Sequence, residues 1–384
     1  MSHLSGHRRR KRHDHKLMFF HLIVTDDCNL CCSYCRAKMF DEEDEPGGSP
    51  VTIDETITEN FSSSKKELYA FLARDPNAVL TFIGGEPLMC PEFVKEVMNN
   101  APVKRFMLQT NGVFLKALPK EYTNRFETIL ISIDGDRELT DGHRGAGIYD
   151  IVRSTADFIK ANGFAGELIA RMTVAEDTDI FAAVTHLANY FTSIHWQMDA
   201  DFTGDFSHRR FAEWSVKYNE GIAKLVDEWV TRIEKTGAVP KWYPFLSTTE
   251  DLLRGQKARL RCGSGYVNYS IMTNGFISPC PIMVGMADYY AGHIRDADPL
   301  NLPEIPIGEP CISCDLYDFC GGRCLYSNIV RPWKDEYKLV CNTVRALHDA
   351  LCANLPRIWK MIDSGRLSLA AFAHTRYNGA EIIP

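Results

Sequence analysis

The chain has 384 residues, of which 45% are apolar and 24% charged: enough for two domains, or one large domain with an appendage, and too apolar for a disordered chain. Residues 1–16 carry a net charge of +5 and the other 368 stand at −12, which argues against a general nucleic-acid binder. No apolar run approaches the ~20 residues of a membrane span and no secretory signal follows the basic start, so a cytoplasmic protein is expected, its 13 cysteines reading as metal ligands or free thiols rather than disulfides.

The basic tail, residues 1–17, reads either as a solvated appendage or as a region that steers an acidic partner. Short β-branched apolar runs then alternate with helical patterns. The runs are Phe19–Asp26, Ala78–Gly85, Arg105–Gly112, Thr128–Gly135, Glu167–Val174 and Ser193–Phe202, most ending in Gly, Asp or Asn, where a strand breaks into a turn. The spacing predicts helices over Asp54–Leu72, Pro91–Asn100, Tyr149–Asn162 and Asp177–Phe191. Six βα units in series imply parallel strands with right-handed crossovers, hence an α/β fold built on an open or partial barrel. Ligands of such folds sit at the carboxyl ends of the strands. A long helix, Ser207 to about Lys235, closes this half, and residues 237–261 read as a linker. From Cys262 the composition turns to Gly, Pro and Cys without periodicity, and such sequence usually needs metal to fold. Helical periodicity returns over Asn342–Asp363, bent or broken near Pro356.

Four thiols stand within eight residues directly after the first strand, in Asp27-Cys28-Asn29-Leu30-Cys31-Cys32-Ser33-Tyr34-Cys35. One reading is a zinc knuckle, although structural zinc sites usually join cysteine pairs from separate segments. The other takes Cys28, Cys32 and Cys35, three thiolates that leave one iron of a [4Fe–4S] cluster open to a substrate or cofactor. This Cys-x3-Cys-x2-Cys spacing, with Tyr34 before the last cysteine, resembles the signature of the radical S-adenosylmethionine (SAM) superfamily. The resemblance implies that the open iron chelates the amino and carboxylate groups of SAM. Reductive cleavage would give methionine and a 5′-deoxyadenosyl radical that abstracts hydrogen from substrate, with Cys31 a spare thiol. Other strand ends agree. Gly84-Gly85-Glu86-Pro87 resembles the family's motif for the SAM ammonium, Asn111, Ser132 and Asp134 resemble its ribose- and carboxylate-contacting positions, and Tyr34 in the cysteine motif is implied to lie at the cofactor. Arg171, inside a strand, needs an anion, either the SAM carboxylate or a barrel aspartate. His143, Arg144, Gln197 and Asp199 read more simply as satisfied surface polar residues.

The carboxyl-terminal third places Cys262, twelve residues, Gly275, four residues and Cys280 ahead of Cys311-x2-Cys314-x5-Cys320-x3-Cys324 and Cys341. Zinc suits the Cys-x2-Cys pair. As a whole the pattern is similar to the SPASM extension of radical SAM enzymes. That resemblance implies two auxiliary [4Fe–4S] clusters, making three in all: an outer one on Cys311, Cys314, Cys320 and Cys341, and an inner one on Cys262, Cys280 and Cys324. The inner set is one ligand short. Asn268 stands six residues after Cys262, near where some members of the family have a cysteine, so either the inner cluster keeps an iron open to substrate or a more distant group, Cys90 or Cys352, completes it. Pro281 follows Cys280 where the sulfatase-maturing branch has an aspartate base, so formylglycine formation is disfavoured.

Together the resemblances imply a radical SAM partial (β/α)6 barrel over 18–236, a SPASM domain over 262–345, and a C-terminal helix and tail over 346–384. The implied activity is anaerobic modification of a ribosomally made precursor peptide, installing a thioether, a C–C or C–O crosslink, or an oxidised residue. An electron donor such as flavodoxin or ferredoxin would feed it. With the first strand near Phe19, no leader-recognition domain is expected ahead of the barrel, and a separate peptide-recognition protein is a candidate partner. The competing readings are a radical SAM dehydrogenase of a small alcohol and a non-catalytic iron–sulfur electron carrier, which would not need Gly84–Pro87.

Overall fold

The computed structural model describes residues 16–35, 51–199, 210–330, 337–379 and 383. The six sequence-predicted strands are present as β1 (Phe19–Ile23), β2 (Val79–Ile83), β3 (Arg105–Thr110), β4 (Phe126–Ser132), β5 (Glu167–Val174) and β6 (Ser193–Met198), each parallel to the next. Successive side chains point to opposite faces, and both faces are buried. Phe20, Leu22, Leu80, Phe82, Ile131 and Trp196 join the outer helices in the main core. Phe19, Val79, Met107, Leu130 and Ile169 instead meet one another inside the curved sheet and, with Tyr243, make the floor of a partial barrel.

The sheet is larger than six strands. β7 (Lys241–Trp242) adds parallel to β6, β8 (Asn268–Ile271) adds parallel to β1, and β9 (Ile277–Ser278) runs antiparallel to β8. The order is β7-β6-β5-β4-β3-β2-β1-β8-β9. The cysteine-rich third is therefore hydrogen-bonded into the barrel sheet. Residues 237–261, expected as a linker, contain β7 and a largely buried helix, Tyr243–Arg254. Ser247 and Thr248 hide it from a periodicity search; their hydroxyls bond back to the carbonyls of Tyr243 and Pro244, which satisfies these two polar side chains inside a buried helix.

Three other expectations shift. Asp54–Leu72 is helical only over Lys65–Leu72, capped by Ser64. Ahead of it Asp54 accepts from Thr56, Asn274 and Tyr290, while the Asp26 and Phe61 amides bond to Glu59 and Val24, so cross-chain pairing wins over a local helix. The helix within Asp177–Phe191 spans Ile180–Leu187, because Asp179 caps it at Ala182 N–H. The last helix runs unbroken through Pro356 from Tyr337 to Asp363; Arg357, one residue on, is held by Asp227 and Glu234 of the long helix Phe211–Thr236, which packs alongside. The expected helix start at 207–209, the end of the sixth predicted strand at 200–202 and most of the basic tail lie outside the described residues. No helix among the described residues is long and apolar enough to cross a membrane.

Candidate functional site

Two loops meet where β1 and β2 end. Gly85 N–H donates to the Thr25 carbonyl and Glu86 N–H to that of Asp27, both at 2.8 Å. A Cβ on Gly84 would lie 2.2 Å from the Thr25 oxygen and one on Gly85 2.2 Å from the Asp27 oxygen, so only glycine permits the approach that seats the 28–35 loop over the strand ends. Glu86, fully buried, accepts from Leu88 N–H (3.0 Å) and Thr110 O–H (2.8 Å) on Oε1 and from Asn111 N–H (2.7 Å) on Oε2. Its carboxylate is thus a brace between loops, with Oε2 carrying a single donor and keeping acceptor capacity. Asn111 Nδ2 donates to Asn29 Oδ1 at 2.8 Å and lies 3.8 Å from Cys28 Sγ.

The other flank of the cysteine loop hangs on Asp134, buried just beyond β4. It accepts from Tyr34 O–H (2.7 Å), Arg144 Nε (2.8 Å) and Nη2 (2.9 Å) and Thr173 N–H (2.9 Å), and stands 3.3 Å from His143 Nδ1. Burial alone would raise its pKa, but the Arg144 guanidinium and these donors hold it down to about 2. The His143 carbonyl accepts Ser33 N–H at 2.9 Å, and its Nε2 meets Asp177 at 3.0 Å. Tyr34 and Asp134, expected at the cofactor, therefore spend their polar atoms mooring the loop. His143 and Arg144, expected at the surface, are 5% and 7% exposed inside that mooring. They ride on a helix, Arg137–Arg144, that the sequence reading lacks; Asp136 as N-cap and Gly145 as C-cap were its legible signals.

Cys28, Cys32 and Cys35 lie near enough to feel one another's charge; burial raises the Cys28 thiol and pushes Cys32 up to about 11. Cys31 is exposed. Cys280 feels Cys324 and Cys262, while Cys311 feels Cys341, Cys314 and Cys324, and Cys320 feels Cys311 and Cys341. Burial raises the thiols of Cys262, Cys280, Cys311, Cys320 and Cys341. Thiols gathered in this way, with Cys280 buried and Cys35, Cys314 and Cys341 exposed, give up their protons when a cation displaces them, which is the donor chemistry of a metal centre. Among the described residues no three His, Cys, Asp or Glu side chains converge on one ion-sized point. All-cysteine donor sets fit thiolate-bound iron–sulfur clusters, in which each thiolate meets a different iron.

Each cysteine group carries a side-chain partner on one sulfur: Asn111 on Cys28, Ser264 Oγ at 3.1 Å from Cys262 and Asn328 Nδ2 at 3.5 Å from Cys311. Asn268 donates to the Cys262 carbonyl at 3.1 Å and leaves a buried Oδ1 without partner. Cys90 lies 3.6 Å from Asn60 Oδ1 and Cys352 3.4 Å from His348 Nε2.

Arg171 lies inside the barrel, two residues along β5 from the floor residue Ile169 and in register with Ser132. Nη1 donates to the Gly379 carbonyl at 3.0 Å and faces His195 Nδ1 at 3.4 Å; Nη2 donates to Gln197 Oε1 at 3.0 Å. Burial and the nearby Arg144 pull its pKa down to about 10, which leaves it charged. No ion pair of Arg171 occurs among the described residues, and Asp134, the aspartate of the adjoining strand end, is taken by Arg144.

Residues 22–179 match the family model of the Radical SAM superfamily. Solved structures of similar fold include anSMEcpe with bound AdoMet (TM-score 0.67, 18% identity, 90% of this chain and 99% of that one) and the same protein with AdoMet and the Cp18Cys peptide (0.66, 18%, 90% and 99%). SuiB of Streptococcus suis bound to precursor peptide SuiA is another (0.55, 16%, 82% and 73%). At these identities the likeness concerns the fold. Curated relatives include a "Probable GTP 3′,8-cyclase" of Methanocella arvoryzae, 29% identical over 120 residues (30% of this chain, 35% of that protein). A 7-carboxy-7-deazaguanine synthase of Methanothermobacter thermautotrophicus is 26% identical over 132 residues (34% and 48%). The chain thus spans about a third to a half of the length of these relatives.

Proposed function

Starting from the radical SAM domain that residues 22–179 form, we propose that the chain cleaves SAM reductively and modifies a ribosomally made peptide. The observation that carries this is the loop of Cys28, Cys32 and Cys35, three thiols brought together beside the strand ends, with two further groups of neighbouring cysteines in the carboxyl-terminal third. When bound, a reduced [4Fe–4S] cluster with SAM supplies a 5′-deoxyadenosyl radical able to take hydrogen from an unreactive carbon. Cys28, Cys32 and Cys35 would hold that cluster. Gly84 and Gly85 would turn backbone carbonyls to the SAM ammonium, and Arg171 with Ser132 would take its carboxylate. Cys311, Cys314, Cys320 and Cys341 would hold an outer auxiliary cluster, and Cys262, Cys280 and Cys324 an inner one.

A peptide substrate is supported by the peptides bound in the anSMEcpe and SuiB structures; the relatives named for GTP and deazaguanine match only 30% and 34% of the chain. Pro281, which cannot accept a proton, points away from formylglycine formation and toward a crosslink, thioether or other oxidation. A ferredoxin or flavodoxin would deliver the electron, and a separate recognition protein would present the peptide. The test is anaerobic incubation of reconstituted protein with dithionite and SAM, followed by mass spectrometry of co-expressed candidate peptides. Formation of 5′-deoxyadenosine and a peptide lacking two hydrogens is expected. Absence of 5′-deoxyadenosine would remove the SAM-cleaving activity; its formation beside unaltered peptides and an oxidised small alcohol would shift the substrate class.

A further inference from the structure

Arg171 is a half-buried cation held by neutral acceptors, and one of them arrives from 208 residues away in sequence. After the last helix the chain doubles back along Tyr243–Arg254, where His374 meets Glu250 at 3.4 Å and Arg376 meets Asp251 at 2.7 Å. It then enters the barrel floor. The Tyr377 ring packs edge-on against Phe19 (6.4 Å) and Tyr266 (5.7 Å), and its hydroxyl shares a 2.8 Å hydrogen bond with that of Tyr266. Asn378, fully buried, donates to the Tyr243 hydroxyl at 3.1 Å. Gly379, at φ +81°, lies against Leu130 and gives its carbonyl to Arg171. Phe19, Leu130 and Tyr243 are floor residues, so Tyr377–Gly379 is a strap across the floor whose last carbonyl points one layer up.

We propose that this strap is a positioning element for anion binding: the Gly379 carbonyl and Gln197 fix the Arg171 guanidinium so that its remaining N–H groups face the carboxylate of SAM. The proposal rests on the assignment of Arg171 to that carboxylate. A guanidinium has five N–H donors in a rigid fork, so two neutral acceptors orient it and leave donors to spare. An acid in the same place would also orient it, but would spend the charge the ligand needs. The strap therefore does what a counter-ion does for geometry without doing what it does for charge.

The test uses reconstituted full-length protein and four variants of the binding experiment: wild type, Gly379→Pro, Tyr377→Ala and Arg171→Gln. Proline cannot adopt φ +81°, so it swings the carbonyl away while leaving Tyr377 in place. Affinity for SAM and for decarboxylated SAM, which lacks only the carboxylate, is measured by equilibrium dialysis beside the iron content. Freeing one rotamer-rich side chain weakens binding by about tenfold, so both strap variants should lose about that factor for SAM and nothing for the decarboxylated analogue, with iron unchanged. Strap variants that bind SAM like wild type while Arg171→Gln does not would overturn the strap's role and leave Arg171 assigned. Arg171→Gln binding SAM like wild type would overturn the assignment itself. Equal losses for both ligands would mean general damage and would also overturn the proposal; if Tyr377→Ala does not fold, Gly379→Pro decides alone.

Discussion

Asp134→Asn removes one charge from the mooring of the cysteine loop and strands Arg144, which is 7% exposed. Breaking a buried pair from one side costs about 3–5 kcal/mol, because the remaining charge stays desolvated. Asparagine keeps the volume and one acceptor oxygen for Tyr34 or Thr173, so about 3 kcal/mol is expected, a change of roughly 150-fold in the folding equilibrium. The same carboxyl makes the loss depend on pH. It is held at about 2 against an ordinary value near 4, so it contributes about 2–3 kcal/mol that is fully present above pH ~4 and disappears as pH falls through ~2. Urea unfolding of the reconstituted protein should therefore show wild type and variant well separated at pH 7 and drawing together as pH falls through the acid range. Adding Arg144→Met should recover part of the loss by removing the stranded cation. A difference under about 1 kcal/mol at pH 7, or one that does not shrink in acid, would refute the mooring.

Three further outcomes are expected. Gly85→Ala drives a Cβ to 2.2 Å from the Asp27 carbonyl, so the cysteine loop must lift; SAM binding should be lost while the auxiliary cysteine groups keep their iron, read as about 8 irons per chain instead of about 12. Replacing Cys28, Cys32 and Cys35 together by Ala should abolish dithionite-driven 5′-deoxyadenosine formation with the same partial iron content, and surviving cleavage would place the reaction elsewhere. With iron bound, Ser264 can only donate to the Cys262 thiolate, 3.1 Å away. A hydrogen bond to a charged group is worth about 1.5 kcal/mol and only the part gained on reduction moves the potential, so Ser264→Ala should lower the one-electron potential of a cluster held by Cys262, Cys280 and Cys324 by at most about 60 mV in an EPR titration.

The six barrel strands were legible because each is a short apolar run stopped by a turn former, and both cysteine groups because spacing is itself geometry. What was hidden depends on partners far away in sequence. Nothing near Glu86 announces that Thr110 and Asn111 will claim both its oxygens, and nothing near Arg171 points to Gly379. Asp54–Ser63 carries helical spacing, yet Thr56, Asn274 and Tyr290 satisfy Asp54 better than a helix start could. β8 was missed because Asn268–Ile271 is only four residues long in a stretch without periodicity; it becomes a strand because β1 offers it a free edge.

That edge has a consequence for biosynthesis. β1 begins at Phe19, but its partner β8 begins at Asn268, so about 250 residues separate them. At 5–20 residues per second the ribosome needs about 12–50 s to cover that distance. During this interval the nascent barrel can complete β1 through β6 while one side of β1 keeps its amides and carbonyls unpaired, beside apolar side chains on both faces. The cysteine-rich third is then the barrel's own edge guard, delivered late. Truncated chains that stop before Asn268 should associate through β1.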